Sequence, residues 1–260
     1  MNTLLTIERS KWLRVPESLS LNMKLIQWIS IPITLVALCA SQTRASAADE
    51  DGVAIAIVYD TSGSMKEPVK DEAGKSSPKY IIANRALVAI ANRIQTFVTN
   101  SANTTPRKVH TGLFVFQNDG PHAAIPFGRF DAATITKWAR DFSNPGGGTP
   151  LGNTLNAASR AVLDSKLTRK HVLVITDGLS NIGPNPAAIL PKLKQEAAQK
   201  ETSLSVHFVA FDVDAKVFDG VKRLGATVVG ASNESQLNTQ LEFILEKKIL
   251  LEEEEPAKQK

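Results

Sequence analysis

Three short segments of this chain carry oxygen-bearing side chains that could bind a metal ion. Asp60-Thr61-Ser62-Gly63-Ser64 directly follows the apolar run 53–59, Thr149 ends a glycine-rich loop, and Asp177 closes a second apolar run. Carboxylate and hydroxyl oxygens are hard ligands, which a hard divalent cation such as Mg²⁺ prefers. The same residue types are common in turns and at helix N-termini, so a metal-free interpretation stays open at this point. The three segments form a cation site only if the fold brings them together.

The pattern of apolar residues predicts alternating strands and helices around these segments. Strands are expected at 53–59, 108–116, 123–127, 171–176, 204–211 and 226–229, and helices at 80–99, 131–142, 187–200, 215–224 and 234–251, with one more helix opening at Thr149-Pro150. Strands that alternate with helices of this length form a parallel sheet covered on both faces. Asp119-Gly120 favours a tight hairpin, which would turn 123–127 back as an antiparallel edge strand. The predicted fold is therefore α/β, a doubly wound, Rossmann-like and mostly parallel sheet.

This architecture predicts where the three segments lie. In an open α/β sheet, ligands bind beyond the carboxyl ends of the strands. Asp60 and Asp177 each end a predicted strand, and Thr149 lies in a loop that precedes a helix. We therefore expect all three at one edge of the sheet.

The three segments resemble the metal-ion-dependent adhesion site (MIDAS) of the von Willebrand factor A (vWA) family. The family pattern is Asp-x-Ser-x-Ser after the first strand, a Thr in a later loop and an Asp that ends the fourth strand. Asp60, Ser62, Ser64, Thr149 and Asp177 match this pattern in order. The resemblance covers about residues 51–251 without a departure at the site, and the N-terminal leader described below is similar to that of exported bacterial members.

The resemblance implies a protein-binding module that holds a divalent cation. Ser62, Ser64 and Thr149 would offer hydroxyls, and Asp60 and Asp177 would bind the ion directly or through water. Mg²⁺ is the expected ion, with Mn²⁺ or Ca²⁺ as alternatives. An Asp or Glu carboxylate of a protein partner would complete the metal shell. The residues expected at a partner-binding rim, which a solvated surface would explain equally well, are Lys66, Glu67, Asn118, Gly148, Ser180 and Asn181.

The first 47 residues have the three parts of a secretory signal peptide. Met23-Lys24 is followed by an apolar run over 25–40 and by the small-x-small triplet Ala45-Ser46-Ala47. We predict cleavage after Ala47, export to the periplasm or out of a bacterial cell, and a solvated charged tail over 252–260. The apolar run is short of the roughly 20 residues of a membrane span, so an uncleaved anchor is the less favoured alternative. Met23 is an alternative start.

The composition favours binding over catalysis. Ser62 and Ser64 have no nearby general base, and the loop over 146–148 lacks the Lys-Ser/Thr of a phosphate-binding loop. The leader holds five basic and two acidic residues, so most of the formal charge of +4 leaves with it, and no basic face argues for nucleic acid. We predict a non-enzymatic protein without a small-molecule substrate. The alternative is a non-catalytic accessory subunit of a larger enzyme or assembly complex, of the chelatase- or ATPase-associated type.

Overall fold

The computed structural model describes residues 50–100 and 108–251. The predicted signal peptide over 1–47, its cleavage after Ala47 and the predicted tail over 252–260 lie outside the described residues. The domain boundaries at both ends therefore stay predictions.

Strands and helices alternate along the described chain. The strands are β1 (Glu50–Tyr59), β2 (Pro68–Lys70), β3 (Ser76–Pro78), β4 (Val109–Gln117), β5 (Gly120–Arg129), β6 (Leu167–Thr176), β7 (Ser205–Phe211) and β8 (Thr227–Ala231). The helices are α1 (Lys79–Thr99), α2 (Ala132–Asp141), α3 (Leu151–Leu163), α4 (Pro186–Gln199), α5 (Asp219–Arg223) and α6 (Glu234–Ile244). Within residues 50–100 and 108–251, no helix is both long enough and apolar enough to cross a membrane.

Six of the strands form one sheet in the order β5-β4-β1-β6-β7-β8. All neighbouring strands are parallel except β4 and β5, which pair antiparallel at the edge. Helices cover both faces, so the prediction of a doubly wound, mostly parallel sheet with one antiparallel edge strand is confirmed. The central strand β1 pairs Val58 with both Phe114 of β4 and Val174 of β6.

Alternate residues of β1 enter two separate hydrophobic cores. Ile55, Ile57 and Tyr59 pack with residues of α1 and α6 on one face of the sheet. Ala54, Ala56 and Val58 pack with residues of α3 and α4 on the other face. Because neither face meets solvent, the strand is apolar throughout. Its first polar side chain after this run is Asp60, at the point where the strand ends.

The predicted turn before β5 is present: it is centred on Asn118 and Asp119, with φ of 50° and 57°, and Gln117 and Gly120 pair across it.

Two local predictions differ from the structure. The segment 65–79, for which no strand was expected, contains the small antiparallel hairpin β2–β3. The two predicted C-terminal helices are each divided: a 3₁₀ turn precedes α5, and a short π-helix, Leu245–Leu250, follows α6. A strand-and-helix pattern does not encode such local hydrogen-bond shifts.

Candidate metal centre

Asp60 and Asp177 lie side by side at the carboxyl ends of the adjacent strands β1 and β6. Asp60 is fully buried, and 7% of Asp177 is exposed. The Asp60 amide donates to the carbonyl of Ile175 at 3.0 Å, so the two strands stay paired up to the first carboxylate. The sheet thereby brings together two acidic residues that are far apart in sequence.

The Asp60 carboxylate is fixed by one donor on each oxygen. The Ser62 amide donates to Oδ1 at 2.8 Å, and the Thr176 hydroxyl donates to Oδ2 at 2.6 Å. Burial and the negative charge of Asp177 raise the pKa of Asp60 to about 6, although the bonds from Ser62 and Thr176 oppose this rise. A second buried carboxylate beside the first is costly in the absence of a cation.

The hydroxyls of Ser62 and Ser64 connect the first segment to Asp177. Their Oγ atoms are 3.1 Å apart, and the Ser64 hydroxyl donates to Asp177 Oδ1 at 2.8 Å. Because the Ser64 proton points to the carboxylate, the Ser62 hydroxyl is the donor between the two serines. Both serines therefore belong to one hydrogen-bonded chain that ends on Asp177.

The glycine loop is attached to the first segment through main-chain hydrogen bonds. Gly63 donates to the carbonyl of Gly147 at 3.1 Å, and Gly146 donates to the carbonyl of Thr61 at 2.8 Å. Gly147 adopts φ of 78°, which glycine tolerates best. A Cβ at Gly148 would lie 2.9 Å from Asn181 Oδ1 and closer still to Ile182, so the loop can approach only without side chains.

Thr149 is held through its main chain. Its amide donates to Asn181 Oδ1 at 2.6 Å, and its carbonyl accepts from the Ser180 hydroxyl at 3.1 Å and the Asn181 amide at 3.2 Å. Pro150 is the N-cap of α3 and makes no side-chain cap. Within residues 50–100 and 108–251, the Thr149 hydroxyl makes no hydrogen bond, although the residue is only 5% exposed. This side chain does not cap the helix, and its oxygen is available for a ligand.

Lys79, the first residue of α1, adds a positive charge behind Asp177. Its ammonium nitrogen lies 3.1 Å from Asp177 Oδ2, 3.0 Å from Glu67 Oε2 and 3.1 Å from Asp212 Oδ2. Burial lowers the pKa of Lys79, but the hydrogen bonds to Glu67, Asp177 and Asp212 outweigh it and raise the pKa above its usual value. The ammonium is therefore charged, and Asp177 presents only Oδ1 toward the serines.

The residues predicted for the rim divide into two groups. Lys66 and Asn118 are exposed, and the side chain of Glu67 is 66% exposed although it binds Lys79. Ser180, Asn181 and Gly148 instead make or permit the contacts that hold Thr149. Their role as a partner-binding surface stays a prediction.

Asp119 Oδ1 accepts from the Gly148 amide at 3.1 Å. Three further residues that build the site were not among the sequence candidates: Thr176 holds Asp60, and Lys79 and Asp212 form the charged group behind Asp177. Two of them leave a signal in the sequence. Asp212 ends an apolar strand, as Asp60 and Asp177 do, and Lys79 places a cation in the first helical turn, where the helix dipole disfavours it.

The donors fit a hard divalent cation. The site combines two carboxylates with the three hydroxyls of Ser62, Ser64 and Thr149, all oxygen atoms. In the described part of the chain, no three His, Cys, Asp or Glu residues gather to bind a metal. An oxygen set with waters suits Mg²⁺ or Mn²⁺, because these ions keep several waters and need few protein carboxylates.

Fold and site together define a Rossmann-like α/β domain with an oxygen-donor site at the carboxyl end of its sheet. Residues 55–180 match the family described as the von Willebrand factor type A domain. Over this segment the chain matches the vWA family, which supports the family resemblance stated from the motifs. No curated protein matches the sequence.

Solved structures share the fold at low sequence identity. The PilB minor pilin from Streptococcus sanguinis is 16% identical, with a TM-score of 0.56 over 76% of this chain and 61% of that chain. The vWF domain of the type V pili tip protein Mfa5 from Porphyromonas gingivalis is 15% identical, with a TM-score of 0.53 over 76% of this chain and 95% of that chain.

A third similar structure has metal in its site. Proximal thread matrix protein 1 from the mussel byssus, with a zinc-occupied MIDAS motif, is 19% identical, with a TM-score of 0.52 over 76% of this chain and 48% of that chain. The present chain spans less than two thirds of the pilin and of this matrix protein. At these identities the comparisons establish the fold alone.

Proposed function

We propose that this protein is an exported binding module that recognises a protein partner through a divalent cation. Asp60, Ser62, Ser64, Thr149 and Asp177 hold the ion, and an Asp or Glu of the partner supplies a further ligand. The cation is Mg²⁺, and Mn²⁺ or Ca²⁺ are alternatives. The module itself catalyses no reaction.

The observation that carries this proposal is the pairing of two buried carboxylates with a hydroxyl that lacks a hydrogen bond. Asp60 and Asp177 place two negative charges at the site, and only the Lys79 ammonium opposes them within the described residues. Thr149 is itself only 5% exposed, and its hydroxyl makes no hydrogen bond within residues 50–100 and 108–251. A dication would satisfy both features at once.

The bound ion would supply a Lewis-acid position that accepts a carboxylate. The chain's own residues set the strength of that acceptor. Asp60 and Asp177 nearly balance the charge of a dication, whereas the neutral hydroxyls of Ser62, Ser64 and Thr149 donate little further electron density. A site built in this way keeps affinity for one more anionic ligand.

A cleft beside the site offers room for the partner's neighbouring residues. It has a volume of about 630 Å³ and borders the loop that carries Gly148. Phe116, Trp138 and Phe142 give it aromatic walls, and Asn118 and Asp119 lie at its edge. An extended acidic segment could place its carboxylate on the metal and an adjacent side chain in this cleft.

The leader and the structural relatives support export. The pilus and byssus proteins with this fold are named for structures outside the cell. The accessory-subunit alternative concerns cytoplasmic machines, so a cleaved leader argues against it. Fractionation of cells distinguishes the two, because an uncleaved cytoplasmic product would favour the accessory subunit.

The metal site is tested by calorimetric titration with Mg²⁺ and Mn²⁺. We expect one ion per chain for the native protein and no binding for Asp60→Ala or Asp177→Ala. Equal heats for all three proteins would refute the site. A pull-down from the native extracellular or periplasmic fraction, with EDTA and Asp177→Ala as negatives, then tests whether partner capture depends on the metal.

A further inference from the structure

Lys79 is a cation at a position that is unfavourable for a cation for two reasons. It is the first residue of α1, where the helix dipole is positive, and it is only 3% exposed. A buried ammonium is stable only when carboxylates surround it. Three of them do, at 3.0–3.1 Å: Glu67, Asp177 and Asp212.

The three carboxylates come from different parts of the chain. Glu67 follows the 3₁₀ turn after the first metal segment, Asp177 ends β6, and Asp212 follows β7. Asp212 adopts φ of 56°, a left-handed conformation that aspartate accepts at some cost. The ammonium therefore ties three loops at the carboxyl edge of the sheet to the start of one helix.

Asp177 is shared between Lys79 and the proposed metal site. Oδ2 accepts from the ammonium at 3.1 Å, and Oδ1 accepts from the Ser64 hydroxyl at 2.8 Å. The lysine thus fixes the rotation of the carboxylate and leaves one oxygen for an ion. It also neutralises part of the charge that would attract that ion.

We propose that the Lys79 ammonium is a fixed charge of the metal site, which positions Asp177 and lowers the affinity of the site for a divalent cation. This inference rests on the proposed metal-binding function. A monovalent and a divalent cation on the two oxygens of one carboxylate repel each other. Even at the dielectric constant of water, this repulsion lowers the binding constant of the divalent ion by roughly tenfold. The partner's carboxylate restores the missing negative charge, so metal retention depends on the partner more strongly than it would without the lysine.

The test is the affinity for Mn²⁺, measured by calorimetry on the apo protein, with thermal unfolding in EDTA as a second readout. Lys79→Gln retains a hydrogen-bond donor for Asp177 but loses the charge, and we expect it to bind Mn²⁺ at least tenfold more tightly. Lys79→Arg retains the charge and should stay within about threefold of the native protein. Lys70→Met, which removes an exposed lysine from β2, is the matched control for net charge.

A second substitution keeps the proposal testable if the lysine variants do not fold. Asp212→Asn removes a partly exposed negative charge and leaves the ammonium with one anionic partner fewer, so Mn²⁺ binding should weaken severalfold. An unchanged or weaker affinity of folded Lys79→Gln, or a tighter affinity of Asp212→Asn, would overturn the role of Lys79. If Asp60→Ala binds Mn²⁺ as well as the native protein does, the metal site itself fails. If Asp60→Ala loses binding and Lys79→Gln binds as the native protein does, the site stands and this inference fails.

Discussion

The Ser64 hydroxyl donates to Asp177 Oδ1 at 2.8 Å and so joins two proposed metal-binding segments that are 113 residues apart. Ser64 belongs to the loop after the first strand, and Asp177 follows β6, the fourth strand of the six-stranded sheet in chain order. The same carboxylate accepts from Lys79 on its other oxygen. The Asp177 carboxylate therefore contacts both Ser64, a proposed metal ligand, and the Lys79 ammonium, whose charge would repel a metal ion.

Replacing Ser64 tests this link. Ser64→Ala removes a proposed hydroxyl ligand and one hydrogen bond to Asp177, and we expect Mn²⁺ affinity to fall about tenfold or more, since a hydrogen bond to a charged group contributes about 1.5–3 kcal/mol. Calorimetry measures the loss. Ser235→Ala, at an exposed position of α6, is the control and should bind as the native protein does. Equal affinities of the two variants would contradict a role for Ser64.

Asp60 makes the stability of the apo protein depend on pH. Its pKa is raised from 3.8 to about 6, so the folded state retains this proton where the unfolded chain has lost it. The resulting stability is present below about pH 4 and is lost as the pH rises through 6, by at most about 3 kcal/mol.

We therefore expect Asp60→Asn to be more stable than the native protein in EDTA at pH 8, as measured by urea unfolding. The asparagine keeps the shape of the side chain and an acceptor for the Ser62 amide, without the buried charge. At pH 4 the two proteins should differ little. A variant that is less stable than the native protein at pH 8 would show that Asp60 is stabilised by its hydrogen bonds alone.

His171 and His207 predict the opposite dependence at the other end of the sheet. Their rings are stacked on β6 and β7, with Nδ1 of His171 3.3 Å from Nε2 of His207. Burial lowers the pKa of His171 to about 3, with the charges of His207 and Arg169 adding to it, and burial and Lys248 lower that of His207 to about 4. Both histidines stay neutral in the folded state.

Because these pKa values lie below the usual 6.5, the stability they contribute is complete above pH 6.5 and is lost as the pH falls toward 4. We expect urea unfolding to show a loss of stability between pH 7 and 5 that His207→Gln reduces. His122→Gln, in the exposed part of β5, should leave the slope unchanged. If both variants show the same dependence of the unfolding free energy on pH as the native protein, the stacked histidines do not cause the loss of stability.

Asp119 is predicted to keep the glycine loop in place for Thr149. Asp119→Ala removes the acceptor for the Gly148 amide, a bond that contributes about 1 kcal/mol. We expect faster hydrogen exchange over 144–149 and weaker Mn²⁺ binding. Asp119→Asn retains an acceptor oxygen at the same position and should exchange at nearly the native rate. Slow exchange in the alanine variant would show that the loop is held by Gly63 and Thr61 alone.

The fold was largely predictable from the sequence because each core strand is apolar on both faces and each helix is amphipathic. Asp60 and Asp177 were recognisable as strand-end carboxylates for the same reason, since an unpaired carboxylate is costly inside an apolar strand. The β2–β3 hairpin was missed because its strands are too short and polar to show a periodic pattern. The turn before β5 was predictable, because Asn, Asp and Gly tolerate the backbone angles that a tight hairpin requires.

The sequence alone determined the strand ends, and with them the chemistry of the five proposed metal ligands. Only the tertiary structure decided which groups surround these ligands. Thr176 faces Asp60, and Lys79 joins Glu67, Asp177 and Asp212, because packing of α1 against the sheet brings together residues that have no fixed spacing along the chain. Burial makes those contacts strong, since charges excluded from water interact at a lower effective dielectric constant. No local pattern specifies where such a counter-charge will lie.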